Sequence, residues 1–233
     1  VIKLAIIPAR GGSKRIPRKN IKDFLGKPII AYSIEAALQS GLFDEVMVST
    51  DDEEIASVAR EYGAKVPFLR SPQCSDDYAT IFDVIQEVLE HYQAMEKKVE
   101  YVCCVFATAP FVTAEMLKQG YEKLLHPSYD SAFAIQRYKF PIFRALKQDN
   151  EGRLAMIWPE HQNTRSQDLP ESFHDAGQFY WAKTAALLEE GTFYTQKSTG
   201  ILLSDLQAID IDTLEDWKVA EEIFLIAQHG ISD

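Results

Sequence analysis

The chain has 233 residues, 46% of them hydrophobic, and sets Lys+Arg 24 against Asp+Glu 35 for a formal net charge of -11. That length can bury one sizeable core, and the acidic balance argues against a nucleic-acid partner. No apolar run is long enough for a bilayer and no signal-peptide profile precedes the first strand, so the expectation is a cytoplasmic protein with no membrane partner.

In chain order, residues 3–9 form a near-continuous apolar strand, as expected when helices cover both faces of a sheet. That strand empties into Ala9-Arg10-Gly11-Gly12-Ser13-Lys14-Arg15-Ile16-Pro17-Arg18-Lys19-Asn20. Paired glycines and clustered cations at a strand end suit phosphate, because backbone N–H groups and side-chain charge can converge on one anion. Arg10, Lys14, Arg15, Arg18, Lys19, Lys22 and Lys27 are opposed in this stretch only by Asp23. The spacing is not that of a Walker loop, nor of the Gly-x-Gly-x-x-Gly dinucleotide fingerprint, so a nicotinamide cofactor has little support. A loop lengthened through Ile16-Pro17 can wrap a triphosphate.

Pro28 opens a helix that stops near Gly41. A strand is expected over 45–51, a helix over 52–62, a short strand over 66–70 and a helix from Thr80 onward. The strand over 99–107 is the most apolar, with a helix over 115–125 behind it. Cys103 and Cys104 are adjacent on that strand and face opposite sides; with Cys74 they read as buried structural thiols. The five histidines lack ligand spacing. After a strand over 131–135, residues 138–170 lack a long periodic segment and read as an inserted arm, a two-stranded ribbon that docks on a second subunit, with an ordinary surface excursion as the competing reading. Strands follow over 178–182 and 207–212, then a closing helix over 214–228. The pattern is α/β: residues 1–233 as one domain, a three-layer α/β/α sandwich with a mostly parallel twisted sheet.

Within 207–212, Asp210 and Asp212 lie two residues apart, and on a strand both project to one face. Paired hard oxygen ligands beside a triphosphate suit Mg²⁺. The competing reading has Asp212 and Thr213 capping the last helix.

These residues resemble one family. Residues 9–14, with Ile16-Pro17 and Lys19-Asn20, are similar to the N-terminal signature of the cytidylyltransferases that activate nine-carbon 2-keto sugar acids, the sialic acid (CMP-N-acetylneuraminate) synthetase group, and Ile209-Asp210-Ile211-Asp212-Thr213 to its metal-binding strand. The resemblance covers essentially the whole chain. It implies a Rossmann-like nucleotidyltransferase with a dimerisation arm, coupling CTP to a nonulosonic acid with release of pyrophosphate. It places Arg10, Gly11, Gly12, Ser13, Lys14 and Lys19 on the triphosphate, Asn20 on the nucleotide, Arg70 and Thr80 near the cytidine, and Asp210 and Asp212 on Mg²⁺. Arg10, Lys19 and the acidic pair then carry the catalysis, with proton removal open between Asp210 and a metal-bound water.

Departures within the resemblance bear on the sugar. Phe106-Ala107-Thr108-Ala109-Pro110 stands where sialic acid synthetases carry Gln-Pro-Thr-Ser-Pro, and Ala176-Gly177-Gln178-Phe179-Tyr180 where they carry Asn-Gly-x-Phe-Tyr. With Thr164-Arg165-Ser166-Gln167-Asp168-Leu169-Pro170 and His174-Asp175, this resembles the pseudaminic acid branch, whose sugar is deoxygenated at its far end. Phe106, Asp175 and Gln178 are the expected sugar-pocket residues, and Arg165 the candidate for the sugar carboxylate across a homodimer. The alternatives are a sialic or legionaminic acid synthetase, or a non-catalytic nucleotide-binding module.

Overall fold

The computed structural model describes residues 2–229. Its framework is a six-stranded sheet in the order β10-β6-β9-β5-β1-β4. These strands are β1 (Ile2–Pro8), β4 (Glu45–Ser49), β5 (Val99–Val105), β6 (Ser131–Arg137), β9 (Phe173–Lys183) and β10 (Ser198–Leu202). Strand β9 pairs antiparallel with both neighbours, whereas the other pairs are parallel. Two small hairpins lie outside the sheet, β2 (Asp23–Phe24) with β3 (Lys27–Pro28), and β7 (Leu146–Gln148) with β8 (Leu154–Met156).

Helices cover both faces, which is why β1, β4 and β5 read as continuous apolar runs rather than alternating ones. On one face α1 (Ile29–Ser40), α2 (Glu53–Glu61) and α4 (Ala114–Leu125) bury Ile30, Ile34, Ile55 and Leu117 against Ile7, Val48, Cys103 and Trp181. On the other, α3 (Ile81–Ala94) and α5 (Thr184–Glu190) bury Ile85, Val88, Tyr92 and Leu187 against Leu4, Ile6, Cys104 and Tyr180. The adjacent thiols therefore belong to opposite cores, and burial pushes both well above the ordinary range of a thiol. Cys74 departs from the expectation: it is only partly buried and lines a cleft. A third cluster sits beyond the end of the sheet, where α6 (Leu214–His229) packs Trp217 and Ala220 on Phe24, Ile29, Phe111, Ile16 and Ile211.

Two expected strands are absent. Residues 66–70 follow a single bridge to β4, made by Lys65 with Met47, and extend it into no ladder, because Pro67 has no N–H to continue one. Residues 207–212 are irregular, since β10 already occupies the flank of β6; Gln136 Nε2 donates to the carbonyls of Ser204 and Ala208 instead. The alternation survives without the strand: Ile211 is buried while Asp210 and Asp212 face outward. The actual last strand, β10, has Gly at its centre and few apolar residues, which hides it in the sequence. Residues 146–156 do form the expected two-stranded ribbon. Among the described residues, no helix is long and apolar enough to cross a membrane.

Packing between α4 and the sheet leaves no room for a side chain at Gly120. A Cβ there would come 2.6 Å from Trp181 Cδ1 and 3.1 Å from Phe179 Cε2. Trp181 cannot yield readily, being fully buried, stacked on Phe43 at 5.0 Å and donating Nε1–H to the Leu117 carbonyl at 3.1 Å. Overpacking costs about 1–3 kcal/mol against a gain of about 1 kcal/mol in helix propensity. We expect Gly120→Ala to be destabilised by up to about 2 kcal/mol in urea unfolding, and raised stability would show this packing to be loose.

Candidate active site

The cation-rich loop follows β1 and is fastened to the carboxyl end of the neighbouring strand. Ala9 N–H donates to the Ser49 carbonyl at 2.9 Å, and Gly11 N–H to Asp51 Oδ1 at 2.9 Å. Glycine is required at position 11, where a Cβ would lie 2.8 Å from Asp52 Oδ2. Asp52 caps α2 by accepting from the N–H groups of Glu54 and Ile55, both at 3.0 Å. It also receives a guanidinium fork from Arg18, at 2.5 and 3.0 Å. Arg18 adopts a left-handed backbone (φ 55), a conformation that costs a non-glycine residue about 1–3 kcal/mol and that the fork offsets. Arg18 chiefly, and the two capping N–H groups with it, hold the Asp52 carboxyl down at about 2. Asn20 closes the loop by donating Nδ2–H to the Arg10 carbonyl at 2.9 Å.

This loop forms one wall of a cleft of ≈ 540 Å³, to which it contributes Arg10, Ser13, Lys14, Arg15, Lys19 and Asn20. The Gly11-Gly12 pair lies between Arg10 and Ser13, and Gly12 has open space where a Cβ would stand. Opposite the loop, the carboxylate of Asp212 lies 2.6 Å from Arg15 Nη1 and 3.7 Å from Lys19 Nζ. The amino-terminal cations and the carboxyl-terminal acid thus meet in one cavity. Burial lowers the Lys19 pKa, with Asp212 and Asp210 opposing the effect. Asp210 moves the other way, raised by partial burial and then by the Asp212 charge, with Lys19 opposing. Asp212 is not a helix cap: Thr213 and Asp216 form a reciprocal capping pair, leaving the Asp212 carboxylate to the cleft.

Arg10 and Lys14 share one counter-ion. Asp77 accepts from Arg10 Nη1 at 3.0 Å and from Lys14 Nζ, and the Lys14 hydrogen bond chiefly lowers its pKa. Farther along the cleft, Arg70 is buried, with Nε donating to Ser49 Oγ at 3.0 Å and Nη2 to the Ser49 carbonyl; burial lowers its pKa. The Thr80 hydroxyl lines the same region while engaged in the capping box of α3 with Asp83.

The four expected sugar residues separate. Phe106 lines the cleft, and its carbonyl accepts from Ser33 Oγ at 2.7 Å. Gln178 is buried in the sheet beside it; its Nε2 donates to the Ala176 carbonyl at 3.1 Å, and its Oε1 finds no donor among the described residues. Asp175 is taken up by two tyrosine hydroxyls and the Gly177 N–H. Arg165 stands on the arm, exposed, with Nε 2.6 Å from Asp168 Oδ2, away from this cleft.

Sequence reasoning counts Arg15 and Arg18 in the cationic cluster without giving either a role, and passes over Asp52 and Asp77 as site residues. Each of these two acids leaves only a weak local signal, as the second residue of an Asp-Asp pair. As for a metal, Asp210 and Asp212 supply two hard oxygen donors in a set that suits Mg²⁺ completed by phosphate and water. No group of three or more His, Cys, Asp or Glu side chains placed to hold a metal occurs among the described residues.

A mostly parallel sheet with such a loop after its first strand defines a nucleotidyltransferase. The chain belongs to the cytidylyltransferase family, whose model matches residues 4–229. It is 47% identical over 223 residues to the pseudaminic acid cytidylyltransferase of Campylobacter jejuni subsp. jejuni serotype O:2, covering 96% of each chain. It is also 33% identical to the CMP-N,N'-diacetyllegionaminic acid synthase of Legionella pneumophila, with 98% of each covered. Among solved structures, a CMP:2-keto-3-deoxy-manno-octonic acid synthetase complexed with CTP shares the fold (TM-score 0.67, 16% identity, 97% of this chain and 99% of that one).

The Arg18–Asp52 fork has a pH signature. Because the Asp52 pKa falls from 3.8 to about 2 on folding, its contribution is complete above about pH 4 and disappears as pH falls through 2. Arg18 is partly solvated, so the contribution is about 1 kcal/mol. Arg18→Ala should lose that stability at pH 6 and converge on the wild type near pH 2, as followed by denaturant unfolding across pH. A stability gap independent of pH would disprove the link.

Proposed function

We propose that this protein couples CTP to the anomeric hydroxyl of pseudaminic acid, a nine-carbon 2-keto sugar acid, giving CMP-pseudaminate and pyrophosphate. The observation that carries this reading is the meeting of Arg15 and Lys19 with Asp212 in one cleft. A triphosphate needs the cations, and an attack on its α-phosphorus needs the acidic pair beside it.

In this mechanism Arg10, Lys14 and Lys19 bind the triphosphate, with Arg10 and Lys14 exchanging Asp77 for phosphate oxygens. The Gly11-Gly12 stretch lets backbone approach the anion. Arg70 and Thr80 border the cytidine end. The anomeric oxygen attacks the α-phosphorus in line as its proton passes to Asp210 or to water, and the bond to the pyrophosphate breaks, the pyrophosphate leaving with the electron pair. Arg10 and Lys19 offset the charge that develops. Asp210 and Asp212 are the residues that would hold Mg²⁺, which when bound polarises the phosphoryl oxygens. The raised pKa of Asp210, beside a second carboxylate, is a cost that a cation would remove. Phe106 supports a sugar with apolar substituents, because a phenyl ring rewards a methyl group and offers nothing to a hydroxyl. Dependence on CTP argues for the cytoplasm.

The arm supports a homodimer. Tyr138, Phe140, Leu146, Leu154 and Ile157 all present exposed apolar surface, Phe140 at 82%, and outward apolar side chains at this density mark an interface. In such a dimer the arm brings Arg165 to the partner's sugar carboxylate.

Pyrophosphate release from CTP tests the reaction. Pseudaminate should be turned over faster than N-acetylneuraminate or a legionaminate, and Asp210→Asn should lower the Mg²⁺-dependent rate about a hundredfold while the thermal transition is retained, from loss of a metal carboxylate. Faster turnover of N-acetylneuraminate would reassign the substrate; CTP binding without turnover of any nonulosonic acid would mark a binding module. For the arm, Leu154→Asp should shift the sedimentation mass from dimer to monomer, and a wild-type monomer at micromolar concentration would remove the dimer.

A further inference from the structure

Behind Phe106 lies an arrangement that the reaction above does not use. Asp175, on β9, accepts hydrogen bonds at a single carboxylate oxygen, Oδ2, from the hydroxyls of Tyr180 at 2.5 Å and Tyr194 at 2.6 Å; its Oδ1 accepts from the Gly177 N–H at 2.9 Å. Gly177 is left-handed (φ 60), and its missing Cβ would sit 3.9 Å from Phe106. The rings run on from the cleft: Phe106 to Tyr180 with centroids 5.4 Å apart, Tyr180 to Phe133 at 6.0 Å, and Phe133 to Tyr194 at 5.0 Å, edge to face. Tyr180 is buried, whereas Tyr194 is 55% exposed on the segment between α5 and β10. Among the described residues, the Tyr194 hydroxyl donates its side-chain hydrogen bond to Asp175 alone.

We propose that Asp175 is a positioning residue for sugar selection, clamping Tyr180 and Tyr194 so that their rings extend the apolar wall that begins at Phe106. This rests on the sugar-acid reading and replaces the direct sugar contact expected of Asp175. An ionised carboxylate has about four acceptor positions, and three are occupied here, so its influence passes through the tyrosines. Burial and the Asp175 hydrogen bond push the Tyr194 phenol up to about 12 and Tyr180 higher still, which keeps both as donors at any working pH. The ligand chemistry suited to the wall is an apolar substituent, a methyl group, on the sugar. A pocket of this kind discriminates per methylene by about 10–200-fold, provided its walls do not move. Tyr194, without a tether, is a mobile surface ring and supplies no wall.

The test compares KM for the sugar acid with KM for CTP in Asp175→Asn, Tyr194→Phe, Tyr180→Phe/Tyr194→Phe and the corresponding triple variant. Asp175→Asn should raise the sugar KM about fivefold, the worth of roughly one ordinary hydrogen bond, and leave the CTP KM unchanged. The double phenylalanine variant keeps both rings but frees them, so it should show the same rise, and adding Asp175→Asn to it should cause no further change. An equal rise from Asp175→Asn in both backgrounds means a direct sugar contact and overturns the proposal. So does an unchanged sugar KM, or a matching rise in the CTP KM. If Asp175→Asn fails to fold, Tyr194→Phe, which removes one oxygen at the surface, decides alone by its sugar KM. Spectrophotometric titration gives a readout independent of turnover: the Tyr194 phenol should titrate lower in Asp175→Asn. Wild-type enzyme run in parallel separates the two failures. No pyrophosphate release with any sugar acid refutes the proposed function and this inference with it, whereas normal wild-type turnover with an unaltered Asp175→Asn refutes the clamp alone.

Discussion

The reaction centre depends on an apolar contact rather than a polar one. Ile16, in the middle of the cationic loop, and Ile211, between Asp210 and Asp212, are both fully or almost fully buried in one cluster with Phe24, Phe111 and Trp217. Burying each isoleucine contributes about 1.5–3 kcal/mol, whereas exposed ion pairs such as Arg15–Asp212 contribute about 0–1 kcal/mol. Hydrophobic burial therefore brings the two ends of the chain together. The ion pairs across the cleft are weak enough to exchange for a ligand without loosening the fold.

The same division of labour runs along the loop. Two of its fixed points, Gly11 on Asp51 and Arg18 on Asp52, lie outside the cavity lining, and Asn20, on the cavity wall, holds the Arg10 carbonyl. Its cavity-facing cations, Arg10, Lys14, Arg15 and Lys19, rest on Asp77 and Asp212, carboxylates that stay open to solvent and so can be replaced. An acidic chain with net charge -11 thereby keeps a cationic site without leaving it unbalanced. Ligand phosphate takes over charges that internal acids already held in place, so little reorganisation accompanies binding.

Legibility in the sequence followed the range of the interactions. Strands β1, β4 and β5, the helices between them and the 9–20 loop are encoded by neighbouring residues: apolar runs, Pro28 at a helix start, Gly41 at its end, a Gly-Gly pair among cations. Residues 66–70 and 207–212 carry a strand's pattern without a strand's partner, and pattern alone does not report whether a free sheet edge exists. Strand β10 shows the reverse, a real edge strand whose Ser-Thr-Gly opening resembles a loop. Within the site, the cations and the acidic pair were visible as residue types. The Arg18 fork on Asp52, the sharing of Asp77 and the tyrosines on Asp175 join segments 5 to 67 residues apart and exist only once the sheet is assembled.

Strand β9 alone runs against its neighbours, and this decides where the chain can grow. Strand β6 ends at Arg137 opposite Phe173, where β9 begins, so the thirty-odd residues between them leave and re-enter at the same rim as the cationic loop. A parallel return would have needed a crossover spanning the full depth of the sheet. Lengthening or trimming the ribbon alters only how far it reaches over the rim and leaves every pairing of the six-stranded sheet untouched. The scaffold thus carries an adjustable outrigger beside its reaction centre, open to tailoring at no expense to the frame.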